Sequence, residues 1–164
     1  MEYTEEFVNM STPEIRLKAL GIELPNPAPA AANYVPFVIS GNQLFIAGQI
    51  PFLNGQKMYI GRLGDTLTIE QGQEAAKVCA LNILAQARNA INDDWSRLIR
   101  CVKLGGFVNS SPDFDQHPSV INGASDIIVA VLGEIGRHAR FAVGASNLPF
   151  GVAVEIDAIF EIKP

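Results

Sequence analysis

Two stretches of the chain repeat their apolar residues at helical spacing. Across 68–92, Ala76, Cys79, Ala80, Ile83, Leu84, Ala87 and Ile91 recur on one helical face. Thr68 is placed to cap the start, and Glu70 falls in the first turn. Across 117–135, Val120, Ile121, Ala124, Ile127, Ile128, Val131, Leu132 and Ile135 form an unbroken stripe that ends at Gly133 and Gly136. Elsewhere the period falls toward two. Tyr34 to Ser40 and Leu44 to Ala47 are short β-rich runs on either side of Gly41-Asn42, a hairpin turn. Leu98 to Val108 reads as a buried strand. Ala139 to Ala145 and Val152 to Ile162 are two more, joined through Asn147-Leu148-Pro149-Phe150-Gly151. Pro51 and three glycines make 51–67 a loop, with a short strand near Met58 to Ile60.

An acidic stretch, Glu2 to Asn9, opens the chain. Ser11 and Glu14 then have capping-box spacing with Pro13 in the first turn, so a short helix is expected to run to Leu20 and stop at Gly21. Three prolines among small residues make 24–32 an extended surface linker. The division expected is an N-terminal extension, 1–26, and one domain, 27–164. Its order β-β-α-β-α-β-β, without internal repeat, predicts an α+β fold: one mixed sheet with both long helices on one face. The other face must then meet solvent or another subunit.

Composition strengthens that last expectation. Of 164 residues 48% are hydrophobic and only 18% charged, a surplus that a homo-oligomer would cover. Net charge is −5, with basic residues scattered, which disfavours nucleic acid as a partner. Cys79 and Cys101 lie in apolar runs with no Cys or His at metal-ligand spacing, so buried free thiols are expected and no metal site. His117 and His138 are likewise unpaired in sequence. No leader and no apolar stretch of spanning length is evident, which argues against a membrane and for a reducing cytoplasm.

Candidate chemistry gathers in the last two strands. In the final one, Val154, Ile156, Ala158, Phe160 and Ile162 look inward, so Glu155 and Asp157 project from the opposite face. Arg140 is the only charge in 139–145, and Ala142 and Gly144 on its own face leave room beside it. Two readings stand: a guanidinium fork seating a ligand carboxylate, or an internal ion pair with Glu155 or Asp157. The turn between these strands leaves their relative register open, and one residue of slip exchanges faces. Tyr34, after the linker, and Asn122, beside the stripe of the second helix, are further candidates.

Three motifs carry a family resemblance over about residues 27–162: Ala47-Gly48-Gln49-Ile50-Pro51, Ala139-Arg140-Phe141-Ala142-Val143 before Leu148-Pro149, and Val154-Glu155-Ile156-Asp157-Ala158. In this order they resemble the RidA/YjgF family, also called L-PSP endoribonuclease-like. The resemblance implies a chorismate-mutase-like homotrimer with clefts between subunits. It also implies hydrolysis of 2-imino or enamino acids to 2-keto acids and ammonia, with no cofactor. By that likeness Arg140 holds the substrate carboxylate, Glu155 orients the attacking water, and Tyr34 and Asn122 line the cleft. The chain departs from the family pattern in having Ala47 for Ser or Thr and Ala142 for Cys. Phe141 and Ser146 are also unusual, which marks a divergent branch. Two alternatives follow: a non-catalytic trimer binding a small carboxylate, and the ribonuclease of the family's other label.

Overall fold

The computed structural model describes residues 12–30 and 32–164. A short helix α1 (Pro13–Ala19) precedes a β1 (Phe37–Ser40) and β2 (Gln43–Gln49) hairpin. A small ribbon, β3 (Phe52–Leu53) and β4 (Gln56–Lys57), leads to helix α2 (Ile69–Ala90). Then come β5 (Leu98–Asn109), α3 (His117–Leu132), β6 (Ala139–Ala145) and β7 (Val154–Ile162). Five strands form one sheet in the order β1-β2-β7-β5-β6. Only β6 runs parallel to its neighbour, because its connection to β5 passes through α3.

The alternation in β7 is the organising pattern. Val154, Ile156, Ala158, Phe160 and Ile162 are buried beneath α2 and α3, while Glu155 and Asp157 face away. The two helices approach closely: a Cβ at Gly123 would fall on the main-chain carbonyl of Gln73. The reverse face of the sheet leaves Val38, Phe45, Phe107 and Val143 exposed, an apolar surface without a cover among the described residues.

The helix starting at Thr68 carries a full capping box, the Thr68 hydroxyl accepting from Gln71 N–H and the Gln71 side chain accepting from Thr68 N–H. Several expectations are corrected. Thr12, not Ser11, caps α1, since its hydroxyl accepts from Ile15 N–H; Ser11 and the acidic stretch 2–9 lie outside the described residues. The first strand starts at Phe37, not Tyr34. No strand forms at 58–60; the ribbon sits at 52–57, and Ile60 makes one isolated bridge to Val152. α3 ends at Leu132 and tightens into a 3₁₀ turn over Gly133–Gly136. The segment His117–Gly136, with mean hydropathy 1.4, is long and apolar enough to span a membrane by composition alone. Its stripe is packed against the sheet, the ordinary place of a core helix.

Leu17 of α1 and Leu24 of the proline-rich segment enter the same core as the rest of the chain. Gln86 of α2 anchors that segment, its Nε2 donating to the Ala28 carbonyl at 2.8 Å.

Candidate functional site

The predicted residues fall into two groups on opposite sides of the sheet. Glu155 and Tyr34 belong to the first, a cavity of about 420 Å³ at the β2–β7 end. The pairing of β2 with β7 slips between Ile46 and Gln49, and this bulge swings Gly48 beside Glu155. A Cβ at Gly48 would collide with Glu155 Oε1, so only glycine leaves the carboxylate where it is. Asn82 of α2 fixes the adjoining loop by donating to the carbonyls of Ile50 (3.1 Å) and Phe52 (2.8 Å). Phe52, Phe150 and Ile50 make the walls largely apolar, and Lys57 Nζ lies 4.2 Å from the Phe150 ring centre.

Half-burial among these walls pushes the Glu155 carboxyl above the ordinary glutamate range, and the neighbouring Asp157 adds to the shift. Asp157, more open to solvent, is raised by partial burial, against which a Gly105 amide hydrogen bond and Lys103 pull it down. Among the described residues no cation pairs with Glu155.

Arg140 and Asn122 form the second group, on the helix-covered side at the β6 edge. The register pairs Arg140 with Leu104, a core residue, whereas Glu155 pairs with Phe107 of the open face. The two side chains therefore project from opposite faces of one sheet. Neither proposed ion pair, Arg140–Glu155 or Arg140–Asp157, forms. Instead Arg140 leans on α3, Nη1 donating to Ser125 Oγ at 3.0 Å and Nη2 to the Pro118 carbonyl at 3.1 Å. Asn122 is exposed on the same helical stripe, one turn after Pro118 and one before Ser125.

Ser125 and His138 were not legible as site residues. His138 Nδ1 lies 2.6 Å from the Gly136 carbonyl, which assigns the proton to Nδ1 and makes Nε2 an acceptor. The Ser125 hydroxyl, 2.8 Å from Nε2, then donates to His138 and offers its lone pairs to Arg140. This chain of bonds orients the guanidinium without neutralising it. Its only sequence signal is the closeness of His138 to Arg140. Gly48 and Asn82 were missed as well, because a bulge and a helix-to-loop anchor depend on tertiary packing.

Cys79 and Cys101 are free and buried, and burial raises both thiols, Cys101 to about 12. Among the described residues no group of three or more His, Cys, Asp or Glu is placed to hold a metal.

A family model described as "YjgF/chorismate_mutase-like, putative endoribonuclease" matches residues 14–159. Protein TCP17 of Trypanosoma cruzi is 50% identical over 148 residues, covering 90% of this chain and 92% of the relative. The crystal structure of Atu1372 from Agrobacterium tumefaciens, a protein of unknown function, superposes with a TM-score of 0.86 at 52% identity, over 92% of each chain. An endoribonuclease-like protein from Shewanella oneidensis superposes at 0.89 with 36% identity, over 93% of this chain and all of the other. RidA from a Psychrobacter species is more distant, with 27% identity and a TM-score of 0.58 over 85% and 96% of the two chains. The chain thus belongs to the YjgF/RidA family, in a divergent branch nearer to Atu1372 and TCP17 than to RidA itself, and it has the family's chorismate-mutase-like fold.

Proposed function

We propose that this protein hydrolyses reactive 2-imino or enamino acids to 2-keto acids and ammonia, in clefts shared by neighbouring copies of a cytoplasmic homotrimer. The observation that carries this reading is the state of Arg140. It is oriented by Ser125 and the Pro118 carbonyl yet meets no carboxylate among the described residues, which leaves its charge available to an incoming acid. The exposed apolar sheet face supports the assembly, since a second copy would cover Phe45, Phe107 and Val143.

In the reaction proposed, Arg140 clasps the substrate carboxylate and Asn122 beside it adds a hydrogen bond. Glu155, from the adjoining copy, takes a proton from water as the oxygen attacks the C=N carbon. Glu155 returns that proton to the carbinolamine nitrogen, the C–N bond breaks with its electron pair leaving on ammonia, and the hydroxyl proton passes through Glu155 to the departing ammonia, leaving the keto acid. Tyr34 and the apolar walls limit competing solvent. A protonated imine is already electrophilic, so positioning contributes most of the acceleration and general base catalysis about 10²–10⁴-fold more. The raised Glu155 pKa makes its carboxylate a stronger base than an ordinary glutamate, with activity rising as the carboxyl ionises.

The test generates 2-iminobutyrate in situ and follows its loss against buffer, with Arg140→Ala as control. No acceleration by the wild-type protein, or an equal rate in the variant, rejects the proposal. A second reading, a non-catalytic trimer binding a small carboxylate, draws on Ala47 and Ala142, which replace a hydroxyl and a thiol of the usual cleft. Calorimetric binding of keto acids without turnover would favour it. Ribonuclease action has the least support, because a net charge of −5 offers no field to attract RNA.

A further inference from the structure

A second cavity, of about 320 Å³, opens where the loop after Ile60 meets the end of β5 and the start of α3. Arg62, Ser110, Ser111, His117 and Ser146 present its polar groups, and among the described residues no carboxylate lines it. We propose that this cavity binds a small phosphate-bearing anion, either free phosphate or the phosphoryl group of a small ester.

Arg62 supplies the guanidinium of this cavity. Its Nη2 donates to the Ser110 carbonyl at 2.8 Å, but Nε is buried and has no hydrogen-bond partner among the described residues. A buried guanidinium N–H without an acceptor is costly, and an oxyanion that draws the Arg62 side chain slightly toward the cavity would supply one with charge assistance. The acids nearest in sequence, Asp65, Asp113 and Asp115, are exposed, and none forms an ion pair with Arg62. Among the described residues, therefore, nothing has already consumed the positive charge.

The rest of the cavity is built to the same end. The Arg62 loop is clamped, with Arg62 N–H donating to Thr66 Oγ1 at 3.0 Å, Leu63 N–H to the Asn109 carbonyl at 2.9 Å and Ser111 N–H to the Leu63 carbonyl at 2.9 Å. Ser110 Oγ lies 3.1 Å from His117 Nε2, so hydroxyl and imidazole stand together on the wall facing β6. Gly144 makes this possible: a Cβ there would sit 2.7 Å from His117 Nε2 and 2.8 Å from Ser110 Oγ. At Gly64, with φ +80°, a Cβ would strike Ser111 Oγ. Two glycines thus leave space for polar tips rather than for packing. A tetrahedral anion offers oxygens to a guanidinium, hydroxyls and an imidazole approaching from several sides, which a planar carboxylate does less fully. α3 begins at His117, with no side-chain bond from its cap Gln116, and adds the positive end of its dipole. Arg140, Asn122 and Ser125 are not among the lining residues, although His117 on the cavity wall is followed by Pro118, whose carbonyl accepts from Arg140, so the two groups are neighbours with different linings.

The experiment titrates the full-length protein with inorganic phosphate and with glycerol 3-phosphate, read by calorimetry and by the His117 ring and Arg62 Nε–H resonances. Saturable binding that moves both sets of resonances is expected. Arg62→Gln should weaken it about tenfold or more, and Arg140→Gln should leave it unchanged. Tighter binding of the ester than of free phosphate identifies the phosphoryl group as one carried on a metabolite, and the reverse order identifies the free ion. Should Arg62→Gln fold poorly, His117→Gln serves in its place, with weakened binding again expected. Non-saturable binding, indifference to both variants, or loss of binding in Arg140→Gln overturns the proposal.

Discussion

Replacing Gly48 by alanine adds one methyl group at the point where β2 bulges against β7. Its Cβ would land on Glu155 Oε1, 3.1 Å from Cδ and 3.3 Å from Cγ, so the carboxyl group must withdraw by about an ångström to reach ordinary contact. The fold can absorb this. Gly48 is not among the residues with positive φ, the colliding atoms end a flexible side chain, and a cavity of about 420 Å³ lies beside them. Alanine also lowers the entropy of the unfolded chain by about 0.4–1 kcal/mol, so the melting temperature should stay within about 4 °C of the wild type. Catalysis should not absorb it, because an ångström of misplacement at a reacting group costs about 100-fold in kcat/KM.

The assay is imine hydrolysis by Gly48→Ala, Glu155→Gln and the double variant, with thermal unfolding of each. If Gly48 acts only by leaving room for the Glu155 carboxylate, alanine at 48 costs almost nothing further once residue 155 is glutamine. The reasoning fails if Gly48→Ala alone keeps full turnover, or if its loss is the same in both backgrounds. A large drop in melting temperature would also refute it, since Gly48 would then be serving the sheet and not the carboxylate.

Three further outcomes are expected. Arg140→Ala should lower kcat/KM by about 10²–10⁴-fold, the loss of two charge-assisted bonds to a carboxylate at about 1.5–3 kcal/mol each, while Arg140→Lys restores little because the fork is gone. Stability should change by about 1 kcal/mol or less, since no acid among the described residues is left unpaired; urea unfolding separates the two effects. Glu155, with its pKa raised in the folded state, holds its proton to higher pH there than in the unfolded chain. Stability contributed by this group therefore falls as pH rises from the ordinary glutamate range through the folded value, and Glu155→Gln should remove that slope and raise the urea midpoint at neutral pH. Gly123→Ala gains about 0.8–1 kcal/mol of helix propensity but places a methyl on the Gln73 carbonyl, so net destabilisation of about 1–2 kcal/mol is expected in the same unfolding assay.

The elements whose pattern repeats were legible. The stripe in α3, the apolar face of α2 with Thr68 at its start, and the alternation of β7 each follow from one face meeting one core. What was not legible depends on a single residue of register. Arg140 and Glu155 are separated by a turn in which Phe150 takes φ +59°, and no local rule counts how many residues such a turn consumes. The bulge at 47–48 is hidden for the same reason. The β3–β4 ribbon is a different case. Asn54-Gly55, both with positive φ, is a strong hairpin signal, but Pro51, the glycines and strands of only two residues left no alternation around it. Pockets come last in this order, since the Ser125–His138 bridge and the Arg62 cavity join residues from separate elements.

Placing a carboxylate clasp and a base on opposite faces of one sheet has a consequence for any proposed turnover. A substrate small enough to be an imino acid cannot touch both through the sheet, so a single chain offers half a site twice. If turnover is as proposed, Arg140 of one copy and Glu155 of the next meet across an interface, and two defective proteins can then repair each other. Arg140→Ala chains retain Glu155, and Glu155→Gln chains retain Arg140. In trimers reassembled from an equal mixture, about one quarter of the clefts take the intact half from each kind and regain wild-type composition. Activity should rise from near zero in either variant alone to about a quarter of the wild-type value after unfolding and joint refolding. Simple mixing without subunit exchange should give none. If joint refolding restores nothing although mixed trimers form, both residues serve within one chain and the two-sided cleft is wrong.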